Sequence, residues 1–202
     1  MKIDKLFNGL KRIANGDYVW EGDLISEETI EIDLDDRFVV KGRIESKKSI
    51  IIRCGIKAGR GIKAGCGIEA GWGIKAGYGI EAGDGIKAGR GIEAGWGIKA
   101  GYGIKAGWDI KAGWGIKAGC GIEAGDGIKA GWGIEAGYGI EAGWGIEART
   151  FISVKKRIFA GLSIYCTSND CNKKIRCAEL RAGEVCYGDL TLTGSEEKTD
   201  ED

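Results

Sequence analysis

Isoleucine recurs every six residues from Ile56 to Ile146, sixteen times without a miss. Fourteen of the copies are followed by a Lys or Glu, an Ala, a Gly, a variable residue X and a Gly, and the other two, at Ile104 and Ile146, keep the charge and the Ala. The phase outlives the wording. Stepping back by six gives Ile50, Ile44, Phe38 and Ile32, each followed two residues later by Ile52, Ser46, Val40 and Leu34; stepping forward gives Ile152, Ile158 and Ile164, followed by Val154, Ala160 and Cys166. Inward residues at i and i+2 around a solvated i+1 are the alternation of a short strand. The pattern predicts an all-β chain, a single-stranded parallel β-helix (β-solenoid) of six-residue turns over 32–166. Ile and Ala line its core, Lys and Glu its outer face, and Gly-X-Gly its corners. Glycine-rich low complexity also marks flexible linkers, but a linker has no reason to hold a large aliphatic residue at one phase, whereas stacked repeats need it for a continuous core.

Two coil lengths compete. Tyr78, Tyr102 and Tyr138 share one phase of a twelve-residue period, and Trp72, Trp96, Trp108, Trp132 and Trp144 share the other, with Trp114 the exception. Charge favours eighteen. Adjacent coils lie ~4.8 Å apart, and like charges facing across strands are unfavourable; opposite signs face each other in four of fourteen pairs for twelve-residue coils but in eight of thirteen for eighteen. Eighteen residues make a three-sided coil, with the twelve-residue period as the unit of duplication. The X residues include Arg60, Arg90, Asp84 and Asp126, whose burial without a partner is costly. X is therefore expected outside or at the corner.

The ends differ in kind. Leu6, Leu10 and Ile13 stand at helical spacing with Phe7 beside them, Asp4 as cap and Gly16 as stop. This predicts a helix over about 4–15 within an N-terminal capping segment, 1–31, either closing the first coil or docking elsewhere, with Tyr18 and Trp20 packed near the junction. After Asn172 the period falls to five, led by Ile175, Leu180, Val185 and Leu190. The run Ala178-Glu179-Leu180-Arg181-Ala182, Gly183-Glu184-Val185-Cys186-Tyr187, Gly188-Asp189-Leu190-Thr191-Leu192 resembles the pentapeptide-repeat family, which implies a four-sided right-handed β-helix. Residues 167–194 are read as a loop and C-terminal pentad cap, and 195–202, with Glu196, Glu197, Asp200, Glu201 and Asp202, as an acidic solvated tail.

The hexads resemble hexapeptide-repeat proteins, a group known for acyltransferases, although the place four residues after each Ile is small in that family and large here. They are more loosely similar to bactofilins, which polymerise. The charged hexads together with Lys156-Arg157-Ile158-Phe159-Ala160-Gly161-Leu162 and a short cap resemble small proteins carried by bacteriophages and other mobile elements.

Composition then narrows the chemistry. The chain has no histidine, so the catalytic His of hexapeptide acyltransferases and the His zinc ligands of solenoid carbonic anhydrases have no counterpart. Uniform repeats also offer no irregular groove for unique catalytic residues. No enzyme activity and no cofactor is expected. Cys54, Cys166 and Cys177 fall at inward phases and read as buried thiols of a reducing compartment. Cys166, Cys171, Cys177 and Cys186 form a weak metal-ligand cluster without a Cys-X-X-Cys pair, so no metal is assigned; Cys66 and Cys120 stand at X. Thirty basic and thirty acidic residues cancel and interleave, so no basic stripe tracks nucleic acid. No apolar run suits a membrane span or signal peptide, which points to the cytoplasm.

What is left is the X row, where nine of fifteen residues are Trp72, Tyr78, Trp96, Tyr102, Trp108, Trp114, Trp132, Tyr138 and Trp144. They either shield neighbouring glycines or form a binding ladder of the residue types enriched at hot spots. The expected function is non-enzymatic binding of a protein partner. The phage resemblance implies an inhibitor of a host defence protein. The alternative is self-assembly, as a homodimer or end to end, as in bactofilins; carbohydrate or ice binding is more distant.

Overall fold

In a computed structural model describing residues 1–162 and 173–193, the chain is all-β, and the described residues include no α-helix. It forms a parallel β-solenoid of about nine turns with a strand every six residues. Strands of three residues begin at each repeat isoleucine, from Ile56–Ala58 to Ile146–Ala148. Each pairs in parallel with the strand eighteen residues on: Ile62 lies opposite Ile80, Ile68 opposite Ile86 and Ile74 opposite Ile92. A coil therefore contains three strands, and three stacks run along the molecule. The interior is what the alternation dictates. Repeat isoleucines are at most 1% exposed and repeat alanines at most 6%. Each isoleucine removed from water contributes on the order of 2 kcal/mol.

The corner glycines are not there to supply left-handed backbone. None of the glycines in the hexad run has positive φ. The two glycines of each corner also differ. A Cβ on the first, such as Gly119, would fall inside the contact envelope of the Gly101 carbonyl oxygen one coil earlier, while a Cβ on the second, Gly121, would meet nothing nearer than 3.6 Å. The first glycine is thus a close-approach residue. From Gly59 to Gly143 it never varies, whereas Asp109 replaces the second once. The glycines end at the corner Arg149-Thr150-Phe151, and the next corner, Lys155, Lys156 and Arg157, is absorbed into one long strand, Phe151–Ala160, which pairs at its start with Ile134–Ala136 and at its end with Ile140–Ala142. Two stacks thereby join into one sheet.

At the N-terminal end the expected helix is replaced by turns and two short strands. Asp4 accepts from the amides of Leu6 (through its side chain) and Phe7 (through its carbonyl). Gly9 then takes φ 84° against the Trp20 ring, and Gly16 takes φ 92° in the turn before Tyr18. These left-handed glycines end any helix. The supposed apolar stripe is not buried on one face, since Leu6 is 92% exposed and Leu10 packs on the core. Stack edges are covered instead by Lys2–Ile3, parallel to Ile30–Ile32, and by Lys11–Arg12, antiparallel to Tyr18–Trp20.

Stacking begins before Ile32. Tyr18 pairs with Phe38, Leu24 with Ile44 and Ile30 with Ile50, each twenty residues apart. Two extra residues in 33–37 shift the frame, so Ile32 occupies the second inward place of its strand rather than the first. Both it and Leu34 remain buried. The insertion is acidic and anchors the N-terminal segment: Lys5 and the Tyr18 hydroxyl donate to Asp35 at 2.7 and 2.9 Å, and Arg12 pairs with Asp36 at 2.8 Å.

At the other end the place opposite Ile146 is taken by Ile175, not by the in-phase Ile164, which with Cys166 lies outside the described residues. The pentads are real: Ile152 faces Leu180, Ile158 faces Val185, and Ile175 faces Leu190 fifteen residues on. Three pentads close this coil, so the four-sided arrangement implied by the pentapeptide-repeat resemblance does not form here. Five-residue sides stacked on six-residue sides need the register shifts seen between Phe151–Ala160 and Glu179–Tyr187.

Candidate functional site

An eighteen-residue coil sorts the X residues into three columns. Tyr78, Trp96, Trp114 and Trp132 stand directly above one another, tied by amide-to-carbonyl hydrogen bonds of 3.1–3.3 Å from each to the one before, with Arg60 before them and Thr150 after. A second column runs Cys66, Asp84, Tyr102, Cys120, Tyr138 and Lys156; a third runs Cys54, Trp72, Arg90, Trp108, Asp126 and Trp144. The twelve-residue phase that grouped tyrosines with tyrosines was therefore not the coil. The nine candidate ladder residues fall four, two and three to a column.

All nine are 39–66% exposed, which places X outside as charge required. In the first column the aromatic run is unbroken: Tyr78 and Trp96 centroids are 5.2 Å apart and tilted, and Trp96 and Trp114 are 6.3 Å apart and stacked at 26°. Beside it lies a shallow trough floored by Gly61, Gly79, Gly97 and Gly115 and walled on its far side by Lys63, Glu81, Lys99, Lys117 and Glu135. Phe151 lies over Gly133 at its end, under the guanidinium of Arg181 at 3.8 Å. In the other columns aromatics alternate with other chemistry. Lys156 sits 4.2 Å from the Tyr138 ring, and Arg90 lies between Trp72 and Trp108, 4.9 and 5.2 Å from their centroids. Sequence reading missed Arg90 and Asp126 as column members. Counting by eighteen from Trp72 would have found them.

The charged rows pair across coils as eighteen-residue stacking predicts: Lys75 with Glu93 at 2.7 Å, Lys105 with Glu123 and Lys117 with Glu135 at 2.6 Å, and Lys129 with Glu147 at 3.1 Å. These pairs are solvated and contribute ~0–1 kcal/mol each. Their larger effect is to neutralise the faces, leaving the corners as the distinctive surface.

Cys177, two residues after Ile175, is buried as its phase requires, whereas Cys54 is buried although it stands at the same X phase as Cys66 and Cys120 rather than at an inward one. Cys54 and Cys177 are buried, and burial pushes the Cys54 thiol up to about 11 and raises that of Cys177. Cys66 and Cys120 are half-exposed and Cys186 exposed. Of the candidate metal ligands, Cys166 and Cys171 lie outside the described residues, and among the described residues no three His, Cys, Asp or Glu side chains converge as a metal site. No described helix is long and apolar enough to cross a membrane. No protein-family model, curated protein or solved structure matches the chain.

Proposed function

We propose that this solenoid is a non-enzymatic binding protein and that the unbroken column Tyr78, Trp96, Trp114 and Trp132, with its glycine-floored trough, docks a protein partner. The carrying observation is that four consecutive coils place large aromatic rings at one corner, the first three in successive ring contact, with half or more of each exposed. Such a contiguous apolar strip is larger than scattered surface residues produce, and rigid aromatic anchors lose little conformational entropy on binding. The resemblance to proteins of mobile elements supports a host protein, such as a defence component, as that partner.

Photo-crosslinking tests this. A benzophenone amino acid at position 96, in cells infected by or carrying the source element, should trap one discrete partner, and the same probe at position 84 on the second column should not. Equal trapping at both sites, or none, counts against the assignment. A second reading, pairing of two copies through the same column, draws on the same exposed strip. Sedimentation at high concentration distinguishes it, since a monomer throughout removes that reading.

A further inference from the structure

The third column repeats one arrangement twice with opposite charge at its centre. Trp72, Arg90 and Trp108 occupy successive corners, and the Arg90 guanidinium lies midway between two indoles that are two coils, about 10 Å, apart. Trp108, Asp126 and Trp144 continue the same ladder: Asp126 donates its amide to the Trp108 carbonyl at 3.4 Å, and Trp144 donates to that of Asp126 at 3.1 Å. Where the first arrangement carries a guanidinium on three methylenes, the second carries a carboxylate on one. The indoles flanking it are 54% and 50% exposed.

We propose that Trp108, Asp126 and Trp144 form a receptor slot for an arginine side chain of a partner protein. A guanidinium between the indoles would reproduce the contacts Arg90 makes one step earlier and gain a carboxylate to accept its N–H groups. The charges around the slot are mixed, since Lys174 and Arg176 line the trough beside Trp144 together with Lys111 and Lys129; the attraction for a cation comes from Asp126 itself. The nearest lysines on the adjoining row are already engaged, Lys111 with Asp109 at 2.7 Å and Lys129 with Glu147 at 3.1 Å. Asp126 makes no side-chain hydrogen bond or ion pair among the described residues, and neither does Glu141, three residues before Trp144. Asp84 has no such flanking pair, because Cys66 stands below it. The slot lies on a different column from the proposed partner strip and does not rest on that reading.

The test uses N-acetyl-arginine amide, whose blocked ends leave only the side chain to bind, with the neutral N-acetyl-citrulline amide as control. Indole Nε1–H resonances of the 15N-Trp-labelled protein are followed. The arginine probe should shift Trp108 and Trp144 saturably and the citrulline probe should not; Asp126→Asn should weaken the response about tenfold. Asp126→Arg places the chain's own guanidinium in the slot and should abolish the response. Arg90→Asp converts the first arrangement into a second slot, so Trp72 should begin to respond. Both variants use residues the corners already carry, and a melt establishes that they fold; should Arg90→Asp fail to fold, Asp126→Arg decides alone. A citrulline response equal to that of arginine, or an unchanged response in Asp126→Arg, overturns the proposal.

Discussion

Adding one methyl group at either glycine of a single corner should move stability in opposite directions. At Gly119 the new Cβ would overlap the Gly101 carbonyl oxygen and sit 2.9 Å from its carbon. Neither atom can turn aside, because both belong to backbone held in the stack. Relief requires the two coils to part at that corner, where Gly119 donates to Ala100 at 3.1 Å and Cys120 to Tyr102 at 2.9 Å. Overpacking of this kind costs ~1–3 kcal/mol, and stretching those hydrogen bonds adds about 1 kcal/mol. Gly119→Ala should therefore lose about 2–4 kcal/mol. At Gly121 the nearest atom is 3.6 Å away and φ is ordinary, so Gly121→Ala should gain ~0.4–1 kcal/mol by restricting the unfolded chain. Urea titration followed by circular dichroism reads both, with the m-value checked because solenoids can unfold in parts. If Gly119→Ala stays within about 0.5 kcal/mol of the parent, or the two variants shift the same way, the close-approach reading of the first glycine is wrong.

Burial raises the Cys54 thiol from 9.0 to about 11, so its contribution to stability is complete below pH 9 and is lost as pH rises toward 11. Cys54→Ala should flatten that part of the stability profile, and thiol labelling of the folded protein at pH 8 should reach Cys66, Cys120 and Cys186 well before Cys54. Asp35 is held down from 3.8 to about 2, first by the hydrogen bond from Lys5 and then by that from Tyr18. Its stabilising effect is present above pH 3.8 and disappears as pH falls toward 2. Amide exchange in residues 5–18 should accelerate across that window while the repeat strands stay protected, and Asp35→Asn should show the same loosening at neutral pH. Unchanged exchange in that variant would show that the acidic insertion does not hold the N-terminal segment.

The fold was legible because a solenoid writes one structural rule many times. Ile at i, Ala at i+2 and a charge between them predict the inward and outward faces of every strand, and the divergent ends, with Ser46 and Val40 at the same places, show that the rule is structural. Ser46 is buried, yet satisfied by donating to the Glu28 carbonyl at 2.9 Å. Charge was the better guide to coil length because adjacent coils bring residues i and i+18 face to face, where their energies depend on sign. Aromatic identity carried duplication history instead. The N-terminal segment misled because Leu6, Leu10 and Ile13 satisfy a helical period that tertiary contacts override: Gly9 packs on Trp20, and strand edges are paired by Lys2–Ile3 and Lys11–Arg12.

The candidate site was legible as a set of residue types but not as an arrangement, and the coil length explains why. Under a twelve-residue coil the tyrosines and most tryptophans would have formed two separate aromatic ladders. Under eighteen, the exception Trp114 becomes the residue that makes the first column continuous, since it joins Trp96 to Trp132. A non-aromatic residue at 114 would leave that column as an isolated pair and a single ring, like the broken second column with Cys120 between Tyr102 and Tyr138. The same shift moves Arg90 and Asp126 from apparent interruptions to the centres of two Trp-flanked places of opposite charge. A repeat this uniform carries its specificity in the few positions that break the lesser periodicity, and on this solenoid those positions are 90, 114 and 126.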